Sequence, residues 1–181
     1  MLSFLPLVRS RAPRSNKPFE GTRWDDATFP VIVVAAPLKS SVRRQKMITG
    51  GCLCGAIKYE ITNPLQFARN CHCSMCRKAT GAAFATWAYV EVSNFRWVQG
   101  EEQLGQYQSS PEVTRTFCKV CGSTMQYVAK QAYQDAFGLA LGTVDGDPGC
   151  KPIRHVMVGS KAPWFEITDH LPQSEEAAPN E

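Results

Sequence analysis

Short runs in which apolar and polar residues alternate fill the middle of this chain of 181 residues. Alternation with a period of two is typical of a β-strand that buries one face. It is complete in AIKYEIT at residues 56–62 and partial in FATWAYVEV at residues 84–92. Turn-forming residues separate the runs: NP at 63–64, SN at 93–94, SSP at 109–111 and DGDPG at 145–149. The pattern therefore predicts a succession of short strands.

Five further segments are candidate strands: FRWVQG, QLGQY, VTRTF, STMQYVA and FGLALGTV. Only two segments, SMCRKAT and AKQAYQD, have the composition of helical turns. We therefore expect a mainly β domain of roughly 120 residues that contains short helical turns.

The two ends of the chain differ in composition from its middle. Residues 1–46 are rich in Arg, Ser and Pro and have no acidic residue before Glu20, which is typical of a transit peptide. Prolines at positions 6, 13 and 18 would interrupt the helix of such a peptide, which favours a disordered extension or a true start at Met47. Residues 173–181 are acidic and predicted to be disordered. The folded domain is expected over residues 47–172.

The net charge of +4 is unevenly distributed along the chain. Residues 1–46 carry nine Lys and Arg against three Asp and Glu, whereas residues 47–171 carry eleven against ten. Because the predicted domain is nearly neutral, it lacks the basic surface typical of nucleic-acid binding. The longest apolar run, residues 31–37, is shorter than the roughly 18 residues of a membrane helix. We expect neither a nucleic-acid nor a membrane partner; the oligomeric state is left open.

Seven of the eight cysteines lie in three tight clusters. Neighbouring cysteines with one or two residues between them chelate a metal ion readily but do not readily staple distant segments by disulfides. The spacing therefore indicates metal binding. Because metal-bound thiolates need a reducing compartment, we expect a cytoplasmic location, with organelle targeting by residues 1–46 as the alternative.

The first and third clusters are two cysteine pairs, each followed by glycine: Cys52 with Cys54, and Cys118 with Cys121. A glycine there permits the positive φ of a tight turn. Two such pairs together would complete the closed, four-cysteine site of a structural zinc ion. The alternative is that these are ordinary buried cysteines.

The second cluster, Cys71, Cys73 and Cys76, offers three thiols. Three protein ligands with one exchangeable position are the usual plan of a catalytic zinc site. If Ser74 begins a helix, Cys76 lies in its first turn, where the helix dipole favours a thiolate. The candidates for a fourth protein ligand are His72, Cys150 and His155. In an extended segment His72 would point away from its neighbours, which makes it a packing residue beside the metal.

Four motifs in this order resemble those of the glutathione-dependent formaldehyde-activating enzyme family, also known as the centromere-protein-V/formaldehyde-activating domain: GGCLCGAIKYE, CHCSMCRKATGAAF, FCKVCGS and HVMVGSKAPWFEITDHLP. The resemblance covers residues 47–172. It implies an Mss4-like β-sheet fold with two zinc ions per chain. It also implies that one ion is structural, on Cys52, Cys54, Cys118 and Cys121, and that the second is of catalytic type, on Cys71, Cys73 and Cys76.

The resemblance further implies a carbon–sulfur lyase that forms S-hydroxymethylglutathione from formaldehyde and glutathione. The expected partners are thus a small-molecule thiol, with glutathione as co-substrate, and an aldehyde. Arg77 and Lys78 are candidates for binding the glutathione carboxylates, although they would also serve as solvated surface charges. Trp164 would either line a pocket or pack in the core, and core packing is the expectation.

Two other hypotheses for the function remain: a non-catalytic zinc-binding module for a protein partner, and a redox or metal-handling protein with labile thiols.

Overall fold

The computed structural model describes residues 47–129 and 131–177. The predicted N-terminal extension, residues 1–46, and the end of the predicted acidic tail, residues 178–181, lie outside the described residues. In the described part, eleven strands follow one another in chain order: β1 (Ile48–Gly51), β2 (Lys58–Ile61), β3 (Ala68–Cys71), β4 (Ala85–Glu91), β5 (Phe95–Gln99), β6 (Leu104–Ser110), β7 (Val113–Cys118), β8 (Thr124–Ala129), β9 (Ala136–Ala140), β10 (Pro152–Val156) and β11 (Gln173–Ser174).

A single α-helix, α1 (Ser74–Thr80), lies between β3 and β4 in the described residues. Four short 3₁₀ helices connect strands: Val92–Asn94, Glu101–Gln103, Leu141–Thr143 and Val158–Ser160. The prediction of a mainly β domain with short helical turns is confirmed.

The strands form two sheets. The small sheet has the order β1-β2-β5, and the large sheet has the order β11-β10-β3-β4-β9-β8-β7-β6. Pairing is antiparallel except at one edge of the large sheet, where β3, β10 and β11 run parallel. The large sheet therefore brings β3, which carries Cys71, beside β10, a strand that is distant in sequence.

One core lies between the two sheets. Tyr59 and Ile61 point inward from β2 and are completely buried, in keeping with the alternation seen in the sequence. Full burial of one such isoleucine contributes about 2 kcal/mol. Phe95 of the small sheet contacts Phe137 of the large sheet edge to face, with ring centroids 5.0 Å apart. The alternation of apolar residues along β2 thus determines which face of the small sheet packs against the large sheet.

The two predicted helical segments have different outcomes. SMCRKAT is α1, as predicted. In AKQAYQD, the described residues 131–135 form no helix: the amide of Tyr133 donates to the Ala129 carbonyl at 3.0 Å, which closes a single turn. Tyr133 then packs on Tyr89 of β4, with ring centroids 4.7 Å apart. Its side chain therefore contacts the large sheet.

The C-terminal boundary also differs from the prediction. Gln173–Ser174, expected to begin a disordered tail, form β11 and pair in parallel with His155 and Val156 of β10. The His155 amide donates to the Pro172 carbonyl at 2.8 Å. Backbone pairing, which composition does not report, therefore orders residues with a polar and acidic sequence.

The longest helix among the described residues, α1, has seven residues, and no helix there is long and apolar enough to cross a membrane.

Candidate metal centres and the adjoining cavity

The four cysteines of the first and third clusters come together in space. Their sulfur atoms all lie within 4.8 Å of one another, with Cys52 and Cys54 3.5 Å apart and Cys54 and Cys118 3.9 Å apart. Zn–S bonds of about 2.3 Å in a tetrahedron place neighbouring sulfurs about 3.8 Å apart, whereas a disulfide needs about 2.05 Å. The four-cysteine group, Cys52, Cys54, Cys118 and Cys121, therefore fits a zinc ion.

Backbone turns shape both halves of the four-cysteine group. Gly55 and Gly122 have φ of 75° and 76°, a conformation that glycine adopts without strain. The amide of Leu53 donates to the Ser123 hydroxyl at 3.0 Å and so ties one turn to the other. The same hydroxyl lowers the pKa of Cys121 to about 5 by hydrogen bonding to its sulfur, which favours the thiolate that a metal requires.

Cys71, Cys73 and Cys76 form the second group, the three-cysteine group. Their sulfurs lie within 4.8 Å of one another. Cys71 ends β3, Cys73 caps the N-terminus of α1, and Cys76 lies in its first turn. The Cys73 sulfur accepts a hydrogen bond from the Cys76 amide at 3.3 Å. The end of β3 and the start of α1 thus direct the three sulfurs toward one point.

Cys76 is the most strongly held of the three sulfurs. It accepts hydrogen bonds from Trp87 Nε1 at 3.4 Å and from Arg115 Nη2 at 3.5 Å. Hydrogen bonds from the Cys71 and Cys73 thiols, followed by these two contacts, lower the pKa of Cys76 to about 2. The pKa of Cys71 is raised, chiefly because its thiol donates to Cys73 and Cys76. The sulfurs share protons that a divalent cation would displace.

None of the three candidates for a fourth ligand joins this group. His72 is fully buried, and its Nε2 lies 2.7 Å from Nδ1 of His155, whose Nε2 lies 3.0 Å from Asp169 Oδ2. Burial lowers the pKa of His72 to about 4, so the ring is neutral near pH 7. Cys150 packs instead against the main core. In residues 47–129 and 131–177, no His, Cys, Asp or Glu completes the three-cysteine group.

A cavity of about 220 Å³ adjoins the three-cysteine group. All three cysteines line it. Four aromatic residues form much of its wall: Trp87, Tyr89, Tyr127 and Tyr133. Two guanidinium groups, of Arg69 and Arg115, also face it, and none of its described lining residues is acidic. The cavity is therefore largely apolar, with positive charge beside the sulfurs.

The basic residues chosen from the sequence lie outside this lining. Arg77 donates from Nε to the His72 carbonyl and from Nη2 to the Ser160 carbonyl, both at 3.2 Å, so it braces the backbone around α1. Lys78 is exposed on the same helix. Trp164 is 72% exposed, so the expectation that it packs in the core is wrong.

Sequence reasoning missed the two arginines that do line the cavity. Arg115 is the central residue of the predicted strand VTRTF, and Arg69 lies in β3, which the sequence did not predict. The position of Arg115 at the centre of a predicted strand was the available signal, because an arginine that a strand buries usually has a partner. Which cavity an arginine faces depends on how the strands pair in the sheet, and the sequence pattern does not show that pairing.

Comparisons with known proteins agree with the geometry. A sequence profile described as glutathione-dependent formaldehyde-activating enzyme matches residues 47–160. A Halomonas elongata protein with the provisional name glutathione-dependent formaldehyde-activating enzyme is 27% identical over 128 residues, 67% of this chain and 81% of that protein. An uncharacterized lyase of Schizosaccharomyces pombe is 32% identical over 78 residues, 43% of this chain and 55% of that protein.

A crystal structure of a Rhodobacter sphaeroides protein from a structural genomics programme matches with a TM-score of 0.47 and 30% identity. The match covers 55% of this chain and 89% of that one. The family profile spans both cysteine groups and most of the described domain, so the chain belongs to the glutathione-dependent formaldehyde-activating enzyme family.

Proposed function

We propose that the protein is a zinc-dependent carbon–sulfur lyase that acts on a thiol–aldehyde adduct; S-hydroxymethylglutathione is the adduct that the family description suggests. The observation that carries the proposal is the group of three sulfurs beside a cavity, with no fourth protein ligand among the described residues. That arrangement is usual for catalytic zinc. The lyase name of the yeast relative supports the reaction class.

The two cysteine groups would have separate roles. Cys52, Cys54, Cys118 and Cys121 would hold a structural zinc ion, since four thiolates leave no free position. Cys71, Cys73 and Cys76 would hold the second ion. A zinc ion there would supply Lewis acidity and one exchangeable position for a substrate atom.

The chain's own residues would bind and enclose the adduct. Hydrogen bonds from Trp87 and Arg115 fix the Cys76 sulfur, and the aromatic wall supplies an apolar surface beside it. The hydroxyls of Tyr89 and Tyr133 lie 2.7 Å apart on this wall. Burial raises the pKa of Tyr89, so its phenol stays protonated. Since one hydroxyl donates to the other, the pair has one O–H left, which would donate a hydrogen bond to the oxygen of the adduct.

The bond changes balance without a further reactant. In cleavage, the hydroxyl of the adduct loses its proton, and its carbon–oxygen bond becomes the carbonyl of formaldehyde. The carbon–sulfur bond breaks, its electron pair leaves on sulfur, and the resulting thiolate takes up a proton from solvent. Synthesis of the adduct runs through the same changes in reverse.

Exchange NMR with formaldehyde and glutathione tests the proposed activity. The metal-replete protein should accelerate interconversion of adduct and free thiol beyond the uncatalysed rate. Cys73→Ser keeps a side-chain oxygen that can cap α1 but removes one sulfur, so it should lose the acceleration. Cys150→Ser, outside both groups, should retain it.

Acceleration that survives in Cys73→Ser would reject the three-cysteine group as the reaction site. No acceleration by the wild-type protein, with glutathione or with simple thiols, would reject the lyase activity and favour the non-catalytic zinc-binding module.

A further inference from the structure

Three polar side chains form a hydrogen-bonded triad that ends beside the three-cysteine group: Asp169, His155 and His72. Asp169 Oδ2 lies 3.0 Å from Nε2 of His155, and Nδ1 of His155 lies 2.7 Å from Nε2 of His72. Both histidines are buried, whereas the carboxylate of Asp169 is half exposed. The triad therefore leads from the protein surface to the residue between Cys71 and Cys73.

The carboxylate of Asp169 determines the direction of both hydrogen bonds. The hydrogen bond from His155, followed by that from the Leu171 amide, lowers the pKa of Asp169, so the carboxylate is ionised near pH 7 and can only accept. His155 therefore donates from Nε2, and in the neutral ring Nδ1 is left as an acceptor. His72 must then donate from its own Nε2. The charge at one end thus sets the tautomer of both rings.

Packing alone does not require a histidine at position 72. The ring contacts Phe84 and Phe165, with centroids 5.1 and 5.9 Å away, and these surroundings would suit a phenylalanine. Its Nδ1 is buried and has no hydrogen-bond partner in the described part of the chain, which is unfavourable. What the histidine adds is the hydrogen bond from Nε2 to His155.

The backbone of His72 connects this hydrogen bond to two sulfurs. Its amide donates to the Val156 carbonyl at 3.0 Å, and its carbonyl accepts from Arg77 Nε at 3.2 Å. Successive side chains of an extended segment point to opposite sides. Accordingly, Cys71 and Cys73 line the cavity whereas His72 does not. A shift of the His72 ring would therefore move the two flanking sulfurs.

We infer that Asp169 is a positioning residue for the three-cysteine group and acts through His155 and His72. Its charge selects the tautomers in which His72 donates, and this hydrogen bond holds the sulfurs of Cys71 and Cys73 in place. Hydrogen bonds one step removed from the ligands orient them in many metal sites. The inference rests on the proposed function only in that a metal ion binds this group, and it requires no turnover.

Long-range proton–nitrogen correlation NMR of the metal-replete protein tests the tautomers. The spectra are recorded at about pH 8, above the ordinary pKa of histidine. The chain has three histidines, so substitution assigns each ring. His72 and His155 should both carry their proton on Nε2. A proton on Nδ1 of His72 in the wild-type protein would overturn the inference, since His72 would then accept rather than donate.

Asp169→Asn keeps the shape of the side chain but changes what it offers to His155. The Leu171 amide still needs an acceptor at Oδ1, so the new NH₂ group faces Nε2 of His155. His155 must then accept at Nε2 and donate from Nδ1, which reverses the triad and moves the His72 proton to Nδ1. Zinc affinity should fall roughly tenfold at one of the two cysteine groups and stay unchanged at the other.

Competition with a chromophoric chelator measures both zinc affinities. Glu166→Gln, which neutralises an exposed carboxylate of the same segment, is the matched control and should change neither the affinities nor the tautomers. Unchanged affinity in Asp169→Asn would overturn the inference. Equal losses at both cysteine groups would also overturn it, because they would indicate a general loss of stability.

A double variant tests whether Asp169 acts through the triad. His72→Phe keeps the aromatic contacts but cannot donate, so its zinc affinity should fall as in Asp169→Asn. Adding Asp169→Asn to His72→Phe should then lower the affinity no further. A full additional loss would show that Asp169 acts by another route and would overturn the inference. If His72→Phe does not fold, the tautomer and the affinities of Asp169→Asn decide the matter alone.

Positioning and turnover fail separately. If exchange NMR shows no turnover but Asp169→Asn weakens zinc binding at one cysteine group, the lyase proposal fails and this inference stands. If turnover occurs and Asp169→Asn binds zinc like the wild-type protein, the lyase proposal stands and this inference fails.

Discussion

At the scale of single residues, Cys76 organises the candidate site through the donors around its sulfur. Trp87 and Arg115 reach it from β4 and β7, which are not adjacent in the large sheet. Indole Nε1 can only donate, so this contact favours the thiolate over the thiol. The sulfur is thereby held in the state and position that a metal ion needs.

Trp87→Phe should weaken metal binding at the three-cysteine group while leaving the fold intact. Phenylalanine keeps much of the aromatic packing on Tyr127, whose ring centroid is 5.7 Å away, but cannot donate to Cys76. The affinity should fall roughly tenfold, as for other hydrogen-bond partners of metal ligands. Competition with a chromophoric chelator measures it.

Trp97→Phe is the matched control, because Trp97 packs in the small sheet against Tyr59 and Phe95. Equal loss of affinity in both variants would show that aromatic packing, rather than the indole donor, is responsible.

At the scale of elements, β3 and α1 together position the three-cysteine group. α1 has only seven residues and depends on its ends. Cys73 accepts a hydrogen bond at the N-terminus, while Gly81 ends the helix with φ of 66° and donates to the Arg77 carbonyl. The helix stop is therefore specified by one residue with left-handed backbone geometry.

Gly81→Ala should destabilise the metal-loaded domain by about 1 kcal/mol, the usual cost of a left-handed backbone at a non-glycine residue. An added Cβ at Gly81 meets no atom within 4 Å, so no steric clash contributes. Urea unfolding followed by circular dichroism measures the change.

Gly142→Ala is the control, since a Cβ there also meets nothing within 4 Å and Gly142 lacks a positive φ. It should be nearly neutral. A loss as large as that of Gly81→Ala would mean that helix termination is not the cause.

At the scale of the whole molecule, the four-cysteine group joins the two sheets. Cys52 follows β1 of the small sheet, and Cys118 ends β7 of the large sheet. Both cysteines are also part of the core between the sheets. The three-cysteine group, in contrast, lies within the large sheet and its helix. Loss of the two groups should therefore have different consequences.

Cys118→Ser should lose one metal equivalent and the cooperative thermal transition, because structural zinc contributes directly to folding. Cys76→Ser should lose the other equivalent and keep most of the β-sheet circular dichroism. Metal analysis and thermal melting distinguish the two. Comparable unfolding of both variants would contradict separate structural and catalytic-type roles.

The grouping of seven cysteines into four and three could be predicted because chelation depends on short local spacing. The same holds for α1 and for the strands in which alternation is visible, such as β2 and β4. The roles of Arg69 and Arg115 could not, because their surroundings come from strands distant in sequence. β11 was missed for a similar reason: its order depends on pairing with β10.

The parallel pairing of β3 with β10 also sets an order of events during synthesis. The four-cysteine group is complete in sequence once Cys121 has left the ribosome, whereas β10 emerges only afterwards. Contacts between such distant segments form slowly, since a long loop must close first. The sulfurs of the four-cysteine group can thus come together before the edge beside Cys71 is complete.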